Sequence, residues 1–248
     1  GLLSNALMTI AVSSLPARRK GEGTGYLTLS MAAAMAIGPL LAINLIAYSY
    51  DWLFTVSAAV SFLAAAILML GKVEERELSE EERQKLKTSW RFADFIDIRT
   101  LPISLILAAN AIVFSSVMTF LNAYAKERQL MDAASLFFVV YAAMLFVARP
   151  LAGKLMDRRG ENIVTYPAML LFAVSFLFLA WAHSGWVLLL AAVLLAFGFG
   201  TLYPGMQMIV TKVSPPHRLG LALSTFFICL DAGTGVGGYI IGFIAEWF

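Results

Sequence analysis

One cysteine, two histidines and a small share of charge define what this chain does not do. With Cys229 alone there is no disulfide framework and no cysteine metal site. Lysine, arginine, aspartate and glutamate make up only 14% of 248 residues, and the net charge is +2. The basic residues do not gather into a stripe interleaved with aromatics, so no nucleic-acid partner is expected. No apolar segment contains a lysine, which excludes a retinal Schiff base. None holds paired carboxylates or a nucleophile beside a base, which argues against an intramembrane enzyme, and no cofactor is expected.

What the chain has in quantity is apolar sequence. Sixty per cent of the residues are hydrophobic, and the mean hydropathy is +0.80, well above that of a soluble domain. After a short stub, Gly1 to Ser14, seven apolar stretches follow at 24–47, 53–70, 101–124, 133–152, 163–181, 186–210 and 221–244. Each has about the 20 residues a helix needs to cross hydrocarbon. The expected class is all-α: a polytopic membrane protein with seven full spans plus the end of an eighth, embedded in a lipid bilayer.

The loops alternate in charge. One set holds Arg18, Arg19 and Lys20, then all seven basic residues from Lys72 to Arg99, then Lys154, Arg158 and Arg159, then Lys212 and Arg218; the other holds only Lys126 and Arg128. This bias assigns the first set to the cytoplasm. The polar stretch 71–100 reads as a cytoplasmic linker between residues 1–70 and residues 101–248. A weak internal repeat supports two halves. At a constant offset of 199, Arg19 meets Arg218, Gly21 meets Gly220 and Gly38 meets Gly237, with a proline ahead of each arginine. A parallel repeat of this kind relates the halves of some secondary transporters.

Polar residues inside the stretches are few: Asn44, Asn110, Asn122, Tyr141, Arg149, Tyr203, Gln207 and Asp231. The stretches 53–70 and 163–181 carry no charge and no amide, as expected of helices that face lipid. Asp231 lies about halfway along its stretch, where a carboxylate usually marks a substrate or proton path. Helical geometry puts Ser224, Asp231, Thr234 and Gly238 on one side, with Gly233 and Gly237 about 200 degrees around from Asp231. Arg149 is expected to snorkel or to pair with Asp157. Tyr203 precedes Pro204, an expected kink. His183 is expected to be solvated.

Two motifs point to a family. "GKLMDRRG", 153–160, fits G-x-x-x-D-R-x-G through Gly153, Asp157, Arg158 and Gly160, and reads as a short turn. The stretch from Gly25 places Gly25, Ala34, Gly38, Pro39, Ala42 and Ile43 on the pattern G-x8-G-x3-G-P-x2-G-G, with Ile43 a clear departure. In these the chain resembles the major facilitator superfamily, in particular its drug/proton antiporter branch, as a piece running from the end of helix four to helix eleven. The resemblance implies helical bundles that rock about a central site, a small-molecule substrate, coupling to protons, and a monomer in the plasma membrane of a bacterium. It implies proton-coupled efflux, with an uptake symporter or facilitator for a sugar or other metabolite as the alternative; a seven-helix receptor is a remote one. Asp157 would dock against the start of a neighbouring helix and stabilise one side of the alternating-access cycle. Asp231, Asn110, Gln207, Arg149 and Tyr203 are the candidates for binding substrate or proton.

Overall fold

The computed structural model describes residues 2–13, 15–16, 19–46, 48–70, 96–215 and 218–245. Within them the elements are helical throughout: α1 Leu2–Ser13, α2 Lys20–Ile46, α3 Tyr50–Leu70, α4 Leu101–Glu127, α5 Met131–Arg159, α6 Asn162–Ala180, α7 Gly185–Phe197, α8 Phe199–Val213 and α9 Leu219–Ala245. Six spans among the described residues are long and apolar enough to cross a membrane, α7 and α8 counting together as one. Helix α2, at 27 residues, has the length for a seventh, about 40 Å at 1.5 Å per residue. Residues 71–95 of the expected linker lie outside the described residues, as do the side chains of Gly38, Pro39, Ala42, Ile43 and Asn44.

Helix ends run past the apolar stretches because backbone hydrogen bonding does not stop where hydrocarbon does. Helix α5 continues through Arg158 and Arg159, so "GKLMDRRG" is the last two turns of a helix, not the short turn expected. The reversal falls on Gly160 alone, at φ 89, a backbone region that residues with a Cβ avoid. Its N–H bonds the Met156 carbonyl at 2.9 Å.

The stretch 186–210 also departs from expectation, since it is two helices. Gly198, at φ −76 and ψ −100, separates α7 from α8. A Cβ there would lie 2.6 Å from the Phe172 nitrogen on α6. Phe199, the first residue after the break, stacks on Phe114 of α4 at 4.2 Å and meets Phe172 at 5.5 Å. These rings fill the core at the break, where aromatic burial contributes most per residue. Helix α8 is the hub: it touches α2, α4, α5, α6, α7 and α9, and Leu202, Gln207, Met208 and Val210 are fully buried on it.

Helix α9 packs along α4 through small residues. A Cβ at Gly237 would meet Ile112 Cα at 2.7 Å, and one at Gly233 would meet Ala111 Cβ at 3.0 Å, the close approach that glycine permits between membrane helices. Gly238, expected on the other side, also faces α4, 2.9 Å from Thr119 Oγ1 as measured from a Cβ built there. The last residues of the expected linker belong to this packing. Asp97 is buried; its N–H donates to Thr225 Oγ1 at 2.9 Å, its Oδ1 accepts from Arg99 N at 2.9 Å, and Oδ2 lies 3.9 Å from Arg218 Nε.

Candidate functional site

The seam between α2 and α5 is built on glycine. Gly21 and Gly25 stand one turn apart on α2 and face Gly153 and Arg149, one turn apart on α5. A Cβ at Gly153 would lie 2.6 Å from the Gly21 carbonyl oxygen and 2.9 Å from Glu22 Cα, and one at Gly25 would lie 3.0 Å from the Arg149 carbonyl oxygen. No side chain larger than hydrogen fits at Gly153 without parting the helices.

That closeness brings Asp157 to the first turn of α2. Its Oδ1 accepts from the Gly21 N–H at 2.7 Å and its Oδ2 from the Glu22 N–H at 2.8 Å. Both donors belong to the group of amides that a helix start leaves without internal partners, and the carboxylate also faces the positive end of the helix dipole. Around this contact Arg19, Glu22, Lys154, Asp157 and Arg158 line a cleft of about 380 Å³. Lys154 Nζ lies 3.6 Å from Glu22 Oε1, and Glu161 pairs with Lys212 of α8.

Arg149 neither snorkels nor pairs with Asp157. It is buried, 7% exposed, donating through Nε to the Gly200 carbonyl at 3.1 Å and through Nη1 to the Thr28 carbonyl of α2. Tyr203 stacks on Phe226 of α9, centroids 5.9 Å apart. The structure thus brings Arg149 and Tyr141 together at Gly200, where a Cβ would lie 3.8 Å from the Tyr141 hydroxyl, and sets Tyr203 against α9. Asp231 itself is exposed on α9.

Other candidates stand apart. Asn110 Nδ2 donates to the Ile106 carbonyl of its own helix at 2.7 Å. Gln207 is fully buried, with no hydrogen-bond partner for Oε1 or Nε2 among the described residues. Gly160 only turns the chain. His183 is paired, not simply solvated: Arg128 Nη1 donates to its Nδ1 at 2.9 Å. Among the described residues no three His, Cys, Asp or Glu side chains come together as a metal site requires.

Sequence reasoning flagged Gly25 through its motif but missed Gly21 as its partner in the packing surface, and missed Asp97. The Gly-x-x-x-Gly spacing could have flagged the first. Nothing local marks Asp97 as a packing residue, since the partners that hold it to α9, Thr225 and Arg218, lie more than a hundred residues away.

Long apolar helices packed through glycine, with Arg149 and Gln207 buried among them, define a multi-pass integral membrane protein of the all-α class. The family model described as Major Facilitator Superfamily matches residues 1–238, and the chain belongs to that superfamily. Similar proteins include uncharacterized MFS-type transporters of Burkholderia mallei (strain SAVP1) and Burkholderia pseudomallei (strain K96243), each 30% identical over 150 residues. One of Pseudomonas aeruginosa (strain LESB58) is 28% identical over 150 residues. In each case the match covers 60% of this chain and 37% of the relative, so the chain spans well under half the length of the curated relatives it matches.

Proposed function

We propose that the protein is a secondary active transporter that exports small organic molecules in exchange for protons by alternating access. It acts as a monomer in the bacterial plasma membrane with its basic face in the cytoplasm. Residues 1–70 belong to one helical bundle, residues 101–248 to a second, and 71–100 join them. The observation that carries the reading is the Asp157 contact: a carboxylate on one bundle holds the helix start of the other across a glycine seam, through hydrogen bonds that can break and reform without covalent change. Such a contact stabilises the state closed on the cytoplasmic side, and its release opens that side.

Asp231 is the proton site, on the helix against which Tyr203 packs through Phe226. Protonation removes its charge and weakens its attraction for a cationic substrate, so proton entry and substrate release exchange with each other. Asn110 and Gln207 contribute polar contacts as the cavity opens. The test is proton flux in vesicles containing the intact protein, with candidate substrates added to either side. Asp231→Asn should lower substrate-dependent proton movement by at least about tenfold. Unchanged flux in that variant removes Asp231 from the mechanism, and the side from which substrate elicits flux separates export from uptake.

A further inference from the structure

Proline 204 has no N–H, so the carbonyl four residues earlier on α8, that of Gly200, loses its intrahelical donor. Arg149 Nε supplies one, at 3.1 Å. The same guanidinium reaches in the other direction, through Nη1, to the Thr28 carbonyl of α2. One buried side chain on α5 therefore ties α2 to the broken helix just past Gly198. Among the described residues it has no carboxylate partner, and two backbone carbonyls accept its hydrogen bonds.

We propose that Arg149 is a positioning residue, a strut that holds the α2–α5 seam closed, and that its release from Thr28 is the step that lets α2 part from α5. This rests on the alternating-access reading above, in which α2 and α5 belong to different bundles.

The experiment follows alkylation by N-ethylmaleimide of a thiol placed in the seam. Thr24, buried on the Gly21/Gly25/Thr28 face of α2, is replaced as Thr24→Cys in a Cys229→Ser background of the intact protein. Ser175→Cys, buried in α6 away from the seam, reports general loosening. Arg149→Lys keeps the charge but cannot serve both carbonyls, and should speed alkylation at position 24 about tenfold while leaving position 175 unchanged. Pro204→Ala returns a donor to the Gly200 carbonyl and leaves the charge in place; it should shift position 24 in the direction of Arg149→Lys and serves if the arginine variant does not fold. A wild-type rate at position 24 in both Arg149→Lys and Pro204→Ala overturns the strut, as does a parallel rise at position 175, which marks a merely structural role. Labelling needs no transport. If the rates change as expected while no proton or substrate moves in vesicles, the transport reading falls and the strut stands; if protons move and the rates do not change, the reverse holds.

Discussion

Helices α2 and α9 start from the same turn. In each, an arginine N–H bonds the carbonyl of a proline three residues back at 2.9 Å, Arg19 to Pro16 and Arg218 to Pro215. In each, 27 helical residues follow, Lys20–Ile46 and Leu219–Ala245, in register at the offset of 199. Their surroundings differ. At Gly21 a Cβ would lie 2.8 Å from the Gly153 carbonyl oxygen, whereas at the matching Gly220 the nearest atom would be Thr9 Cγ2 at 3.9 Å. The amides of α2 are held by the Asp157 carboxylate. Beside α9 the carboxylate of Asp97 approaches the arginine side chain instead. The repeat therefore copies a backbone turn and a helix length, and the neighbouring helix decides whether that start becomes a docking site.

This contrast can be broken from its tight side first. Gly153→Val puts atoms where the Gly21 carbonyl now sits, and the seam can only yield by parting. It should destabilise the closed form by about 3 kcal/mol, read as a lower Tm in detergent and faster alkylation of the Thr24→Cys thiol. Asp157→Ala removes both bonds to the first turn of α2 and should cost about 1 to 2 kcal/mol. Asp157→Asn, which retains the shape and loses the charge, should fall between it and the wild type in the same labelling assay. Gly220→Ala sharpens the comparison from the loose side: with nothing closer than ordinary van der Waals distance, its stability, read from the same Tm measurement, should lie within about 0.5 kcal/mol of wild type. A large loss there would mean that the two helix starts are equally constrained.

Much of the fold was legible because the membrane imposes it. An apolar run long enough to span hydrocarbon must satisfy its backbone internally, so the runs at 101–124, 133–152, 163–181 and 221–244 became α4, α5, α6 and α9 with only their ends extended. The break at Gly198 was hidden because hydropathy is blind to backbone angles, and α7 and α8 remain one apolar run. Pro204 gave a signal, but the break came six residues earlier, where glycine lets α7 approach α6. Of the site, Asp157 and its two glycines were marked by motif. Arg149 was legible as unusual and was given the wrong partners, because a guanidinium near a helix end ordinarily reaches water or a nearby carboxylate. Here a proline-freed carbonyl on a distant helix was the better acceptor.

The amino-acid sequence by itself determined the spans, their alternating charge, the common start of α2 and α9, and which few positions carry polar groups, since each follows from local composition or from spacing along one helix. The tertiary structure alone decided that Asp157 meets the amides of Gly21 and Glu22, that Arg149 joins Thr28 to Gly200, and that Gln207 is buried with its amide unpaired. Those contacts join residues 51 to 136 positions apart in the chain or follow from how many helices surround α8, and neither periodicity nor hydropathy carries information over such separations.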